Sequence, residues 1–203
     1  MRLMRLGQSA LALHGDLEQR DRDQTLVRFT NGSARILVAT DVAARGLDIK
    51  SLELVVNYEL AWDPEAHVHP YWPYGTRRKQ RSGDQFLRAG RGAAGEIFFQ
   101  KCCNSKLNWL NAPARQPLLP LAAEMATLCI DGGKKAKMRP GDILGALTGD
   151  IGLDGADIGK INVHPMHVYV AVRQAVAQKA CKQLQNGKIK GKSCRVRAIK
   201  MNR

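Results

Sequence analysis

ILVATDVAARGLDI, residues 36–49, is the stretch that decides the fold of this chain. Its first four residues form a short apolar run, with the length that is typical of a buried parallel strand. Polar residues follow at once, and ligands of open α/β sheets bind outside the carboxyl ends of the strands. Gly46 lets a backbone approach a ligand closely, Arg45 can meet a phosphate, and Asp48 can accept hydrogen bonds from ribose hydroxyls. A buried strand followed by an ordinary helix cap is the alternative that these residues leave open.

The segments on either side repeat the same strand and helix alternation. Residues 9–13 read as a short strand, and residues 17–29 read as a helix with Asp16 as its N-cap. Asn31-Gly32 is expected to end that helix, and residues 54–58 read as the next core strand. Strands that alternate with helices predict an α/β fold with a parallel sheet.

The residues from Thr40 to Asp48 resemble motif V of the DEAD-box RNA helicases, in the second of their two RecA-like domains. Upstream, Leu13-His-Gly-Asp16 followed by Gln19 and Arg22 resembles the HGD strand end and the QxxR element of that family. The resemblance implies that Gly46 and Asp48 lie at the nucleotide. It also implies an RNA-contacting set in the helicase lobe, which comprises Gln19, Arg22, Thr40 and Arg45.

Two elements of the helicase ATPase are absent from these 203 residues, the GxxxxGK[ST] phosphate loop and the Asp-Glu-Ala-Asp stretch. ATP hydrolysis requires a phosphate cradle and a carboxylate for Mg²⁺. Intact members of the family use ATP and Mg²⁺, and we expect neither to bind well to this chain alone. The chain is therefore expected to be a fragment, with a partial RecA-like sheet at residues 1–69 and no catalytic residue of its own.

Positive charge is concentrated near the C-terminus. The chain carries +14, and residues 132–203 contain 15 Lys and Arg against four Asp and no Glu. Such a charge predicts a polyanionic partner such as RNA. A basic surface without a ligand is the alternative, and the uneven distribution argues against it.

Residues 123–203 read as a compact unit with the element order βαββαβ. The predicted strands are 125–130, 159–163, 167–172 and 194–199, with one helix starting at Pro140 and another ending at Asn186-Gly187. This order resembles the RNA recognition motif, which stacks bases on aromatic residues of its two central strands. Here the first stacking position holds Cys129, so the platform is weak while the loops are strongly basic. Tyr169 is expected to contact RNA, and a half-exposed residue of the sheet without that role is the alternative.

Such a domain behind a DEAD-box core resembles the DbpA-like subfamily, whose C-terminal domain recognises a hairpin of large-subunit ribosomal RNA. The resemblance implies the same RNA as partner. From charge and strand face we expect the contacts to come from Lys134, Lys135, Lys137, Arg139, His167, Tyr169, Lys188, Lys190 and Lys192.

The remaining composition suggests a cytoplasmic, monomeric protein. None of the five cysteines has CxxC spacing, which favours free thiols in a reducing compartment, and no His or Cys spacing predicts a metal site. No apolar run approaches the roughly 20 residues of a membrane span, and the N-terminal residues lack a signal-peptide core. A non-catalytic RNA-binding protein and a non-functional pseudogene product remain the alternatives to a helicase fragment.

Residues 70–122 depart from the family pattern and are expected to be an irregular segment and linker. Glu65, His67 and His69 fit the approach to motif VI, where the family continues His-Arg-Ile-Gly-Arg and this chain has His69-Pro-Tyr-Trp-Pro-Tyr74. One cytosine inserted after the histidine codon converts the family's codons into these residues. We therefore hypothesise a frameshift after His69, with the family-like frame returning near Lys106, so no arginine-finger role passes to Arg77, Arg78 or Arg81.

The frameshift hypothesis predicts one extra base next to codon 69 in the coding DNA. Resequencing the gene from the source DNA checks it, with codons 36–49 as a control region in which the family frame is intact. A DNA sequence that encodes residues 70–105 without an extra base, when aligned with helicase genes, would contradict the hypothesis.

Overall fold

The computed structural model describes residues 2–44, 47, 49, 52, 55–57, 83–85, 114, 117 and 119–199. It divides into two compact units, one made of Met1–Ala39 with Leu118–Arg203 and the other of Thr40–Pro117. The first unit therefore joins the beginning of the chain to its C-terminal third. The bounds predicted from the sequence, 1–69, 70–122 and 123–203, stay a prediction.

The start of the first unit has the predicted strand and helix alternation. Helix α1 spans Arg2–Arg5, strand β1 Ala10–Leu13, helix α2 Gln19–Thr30 and strand β2 Ile36–Ala39. Strands β1 and β2 pair in parallel, which confirms the parallel arrangement expected from their apolar runs. Helix α2 ends as predicted, since the Asn31 amide donates to the Val27 carbonyl and Gly32 has a φ of 74°.

The predicted start of helix α2 is wrong by two residues. The helix begins at Gln19 with Glu18 in the cap position, so Asp16 is not its N-cap. The cause is a turn directly before it, in which the Leu17 amide donates to the His14 carbonyl at 3.3 Å.

In the second unit the structure describes helix α3, Asp41–Ala44, and strands β3, Val55–Asn57, and β4, Gly83–Gln85. Strands β3 and β4 pair in parallel. Strand β4 lies within the segment predicted to be irregular, so that prediction is wrong at residues 83–85. Most of the remaining residues of 70–122 lie outside the described part of the chain.

The C-terminal third forms a four-stranded antiparallel sheet. Its strands are β5 Met125–Asp131, β6 Ile158–Val163, β7 His167–Arg173 and β8 Val196–Ala198, in the order β6-β7-β5-β8. Helix α4, Pro140–Gly145, continues into a π-helical turn, Ala146–Asp150, and helix α5 spans Gln174–Asn186. The predicted βαββαβ order is confirmed, and it places β5 and β7 at the centre of the sheet.

One face of this sheet packs against α4 and α5 and forms the main core. Alternate residues of β5 and β7 point to it, and their partners come from the two helices. The fully buried members at its centre include Leu128, Ile130, Ile143, Leu147, Val168, Val170, Val172 and Ala180.

The opposite face of the sheet is covered by helix α2. Val27 of this helix forms a buried cluster with Cys129 and Tyr169. Both faces of β7 are therefore buried, and Tyr169 is only 3% exposed. The alternative of a half-exposed Tyr169 is therefore wrong, because a helix from the other end of the chain lies over it.

No helix within the described residues is long and apolar enough to span a bilayer. The three cysteines that the structure describes, Cys129, Cys181 and Cys194, are all free thiols, in agreement with the prediction.

Candidate nucleic-acid interface

The first basic loop follows β5 and is attached to the turn between β6 and β7. The Lys134 amide donates to the His164 carbonyl at 2.9 Å, and the Lys135 amide donates to the Pro165 carbonyl at 3.0 Å. Gly133 makes this close approach possible, since its φ is 54° and a Cβ there would overlap the His164 carbonyl oxygen. The backbone therefore fixes where the two lysine side chains begin.

The second basic loop is a tight turn between α5 and β8. The Ile189 amide donates to the Lys192 carbonyl at 2.8 Å, and the Lys192 amide donates back at 3.1 Å. Lys190 and Gly191 between them both have positive φ, 52° and 76°, as a turn matched to antiparallel pairing requires. Ile189 is 1% exposed and anchors the loop in the core, so its lysines are held at the surface.

Lys190 ties the two basic loops together. Its ammonium donates to the Lys137 carbonyl at 3.2 Å and lies 3.7 Å from the Asp142 carboxylate. The same carboxylate accepts from the Arg139 amide at 2.9 Å, at the start of α4. Residues that are far apart in sequence thus form one surface, here called the basic-loop surface and defined as residues 134–139 and 188–192.

Most of the predicted RNA-contacting set lies on this surface. Seven of its nine members are exposed there, namely Lys134, Lys135, Lys137, Arg139, Lys188, Lys190 and Lys192. Lys190 differs from the others because its ammonium already contacts the Lys137 carbonyl and the Asp142 carboxylate. That these residues bind RNA stays a prediction.

His167 and Tyr169 lie on the sheet rather than on the basic-loop surface. The Tyr169 hydroxyl is shielded by α2, and burial raises its pKa although a hydrogen bond from Gln24 acts in the opposite direction. His167 is partly exposed and its ring stands 6.4 Å from the Tyr169 ring. With α2 in place, Tyr169 has no free face on which a base could stack, so its predicted contact with RNA requires that helix to leave.

Polar contacts accompany the apolar contact between α2 and the sheet. The hydroxyls of Ser33 and Thr127 lie 2.7 Å apart in a buried position, and Asn162 donates to Asn31 at 3.3 Å. Burial also raises the pKa of the Cys129 thiol. Because these hydrogen bonds join defined partners, the contact between the α2 region and the sheet is a specific interface.

The helicase-lobe candidates are only partly described. Gln19 is exposed and donates to Asp23 at 2.8 Å on the first turn of α2, and Arg22 is half-buried on the same helix. Thr40 is exposed, and its hydroxyl accepts from the Ala43 amide at 3.4 Å. Arg45, Gly46 and Asp48 lie outside the described residues.

Two residues of this region were not predicted from the sequence, namely Asp131 at the end of β5 and Arg197 on β8. Asp131 Oδ1 accepts from His167 Nδ1 at 3.1 Å and from Arg197 Nη1 at 3.2 Å. Asp131, His167 and Cys129 also bring potential metal ligands to within 4.8 Å of one another. A metal ion fits poorly there, because the Arg197 guanidinium already occupies the carboxylate oxygen and would repel a cation. The sequence signal was weak, since a single acid before Gly132-Gly133 resembles an ordinary turn residue.

Two family models match separate parts of the chain. Residues 1–91 match the family model of the helicase conserved C-terminal domain, and residues 127–198 match that of the DbpA RNA binding domain. The chain is 70% identical to the ATP-dependent RNA helicase DbpA of Escherichia coli strain K12, over 98% of the chain and 43% of that protein. It is 29% identical to DbpA of Bacillus subtilis strain 168, over 94% of the chain and 44% of that protein. The ATP-dependent RNA helicase DeaD of E. coli K12 matches 33% of the chain and 11% of its own length at 52% identity. The chain thus spans less than half the length of these relatives.

Substitution Gly133→Ala is expected to detach the first basic loop from the turn at His164. The new Cβ would collide with backbone atoms at a positive φ, which costs on the order of 1–3 kcal/mol of stability. Hydrogen exchange measured by NMR should show faster exchange of the Lys134 and Lys135 amides.

The matched control is Gly141→Ala on helix α4, where a Cβ would meet nothing within 4 Å. It should leave the loop amides protected and stabilise the protein slightly, since alanine is the better helix residue. If both variants exchanged like the wild type at Lys134 and Lys135, the described attachment of the loop would be incorrect.

Proposed function

We propose that this chain, which belongs to the DbpA-like DEAD-box RNA helicases and corresponds to their C-terminal part, docks on structured RNA through the basic-loop surface. The helicase segment that precedes this surface in the sequence would contact the sugar-phosphate backbone of the same RNA. The proposed role is attachment of a helicase to its target, with strand separation left to the complete enzyme.

The single observation that carries this proposal is the tie made by Lys190. It holds two loops that bring seven cationic side chains and one carboxylate into one region of the surface. Loops that were free of each other would spread this charge. Bringing it together raises the local potential that attracts phosphates and releases their counterions.

The acidic groups of this domain support the same conclusion, because most are used inside the protein. Asp142 holds Lys190, Asp154 accepts from the Ala156 amide, and Asp157 pairs with Arg173 at 3.5 Å. Their charge is partly compensated by these contacts. The exposed lysines of the basic-loop surface, apart from Lys190, have no acidic partner among the described residues.

We propose a hairpin of large-subunit ribosomal RNA as the target and a role in assembly of that subunit, because the DbpA-like subfamily implies both. For the helicase lobe we propose RNA contacts from Gln19, Arg22, Thr40 and Arg45, and nucleotide contacts from Gly46 and Asp48. ATP turnover is assigned to complete helicases and not to this chain, whose sequence contains no phosphate loop. We further propose a monomer that works in the cytoplasm.

Replacing two loop lysines by glutamine, Lys134→Gln with Lys135→Gln, should weaken hairpin binding about tenfold at moderate salt and lower the salt slope by roughly 1.5 to 2. Each lysine that contacts a phosphate releases a counterion, so both effects arise together. Fluorescence anisotropy of a labelled hairpin, titrated at several salt concentrations, measures affinity and slope in one series.

The control pair, Lys179→Gln with Lys182→Gln, removes the same charge from exposed positions on helix α5. It should alter the slope much less. Equal losses from both pairs would mean that only net charge matters and would refute a defined docking surface.

A further inference from the structure

Asp131 lies at a junction between the covered sheet and the first basic loop. It ends strand β5, directly before Gly132, and its register partner on β7 is His167. Arg197 on β8 pairs in register with Cys129, so its side chain shares a sheet face with Asp131. Three polar side chains therefore meet where α2 no longer closes the sheet.

These side chains differ from the covered part of the sheet in exposure. The side chains of Asp131, His167 and Arg197 are 37%, 29% and 34% exposed. Cys129, two residues before Asp131 on β5, is 0% exposed. The three groups are thus held by the protein and are still open to a ligand on one side.

The carboxylate of Asp131 uses one oxygen for both of its side-chain partners. His167 Nδ1 and Arg197 Nη1 both reach Oδ1, at 3.1 Å and 3.2 Å. Each partner gives this carboxylate only one of its donor atoms, and both side chains are partly exposed. Arg197 Nη2 is shielded and has no acceptor among the described residues, so it reaches RNA only if the side chain moves. A partly exposed guanidinium beside an imidazole can donate to acceptor atoms of a nucleic acid.

We infer that Arg197 and His167 donate to acceptor atoms of the bound RNA and that Asp131 is the positioning residue that orients them. This inference rests on the proposed RNA-docking function and adds a selective contact to the general attraction of the basic-loop surface. The acceptors belong either to a phosphate or to an unpaired base edge. Because Tyr169 is covered, this junction replaces the aromatic platform as the place where the sheet touches RNA.

Removing the charge of Asp131 tests this inference, because simple electrostatics and a positioning role predict opposite changes in RNA affinity. Asp131→Ala removes a negative charge from a chain that already carries +14, so simple electrostatics predicts tighter RNA binding. A positioning role predicts binding that is weaker by about tenfold or more, because the orientation of Arg197 is lost. Asp131→Asn keeps one acceptor oxygen and should recover part of the affinity.

Asp150→Ala is the matched control, since it removes the same charge from an exposed position. It should bind the hairpin as tightly as the wild type or slightly more tightly. Thermal melts and circular dichroism of every variant separate loss of contact from loss of fold. Arg197→Gln changes a partly exposed residue and gives a second variant if Asp131→Ala unfolds.

Combining Asp131→Ala with Arg197→Gln decides whether Asp131 acts through Arg197. If it does, the double variant loses less affinity than the sum of the two single losses, and the loss beyond Arg197→Gln alone is the share that Asp131 exerts through His167. An unchanged salt slope in Arg197→Gln, with reduced preference among hairpin loop sequences, indicates a base contact. A slope lower by about 1 indicates a phosphate.

Folded Asp131→Ala protein that bound as tightly as the wild type, or fully additive losses, would overturn the inference. Failure of the wild-type chain to bind the hairpin with salt-dependent affinity would instead contradict the proposed function. The two failures are distinct because the wild type is titrated in the same series.

Discussion

The Lys190 ammonium, shared between the Lys137 carbonyl and the Asp142 carboxylate, is the contact on which the candidate RNA surface depends. Like charges on neighbouring loops repel each other, and at separations near 4 Å in water the repulsion is about 1 kcal/mol per pair. A surface ion pair such as this one contributes a similar amount at most. Backbone hydrogen bonds attach the first loop to the turn at His164, and buried Ile189 anchors the second loop in the core. Lys190 then sets how the two meet.

Backbone strain at this contact fits a functional surface. Lys137 and Lys190 both have positive φ, 55° and 52°, a conformation that costs a side-chain-bearing residue about 1 kcal/mol. They are the only non-glycine residues with positive φ in the described part of the chain. Strain of this kind persists where the surrounding structure determines the conformation. Here it places lysine side chains where glycine would otherwise be preferred.

The sheet face opposite the core has a different role from the one that its architecture suggests. An RNA recognition motif offers this face to bases, whereas α2 covers it here with Val27 and Gln24, followed by Asn31 at the end of the helix. In the proposed function, RNA contacts therefore come from the edge of the covered sheet at Asp131 and from the basic-loop surface. The weak aromatic platform inferred from Cys129 is consistent with this division, because a small apolar residue suits packing against a helix.

The sequence predicted the local elements well and the contact between chain ends poorly. Alternation of Val168, Val170 and Val172 located β7, and Pro140 and Asn186-Gly187 located helix ends, since each signal is local. The contacts of Val27 with Tyr169 and of Ser33 with Thr127 join positions separated by more than 90 residues. No periodicity encodes such a pairing. The contacts of Asp131 with His167 and Arg197 were missed for the same reason, because they depend on strand register rather than on spacing along the chain.

Which residues contact RNA is tested most directly by NMR, with backbone amide shifts of the whole chain followed during titration with a ribosomal hairpin at low salt. The account predicts the largest changes in residues 134–139 and 188–192 and at Asp131, His167 and Arg197, while Val27, Cys129 and Tyr169 remain unchanged. Largest changes at Val27, Cys129 and Tyr169 would show that RNA displaces the helix and stacks on the sheet, which would contradict this interpretation.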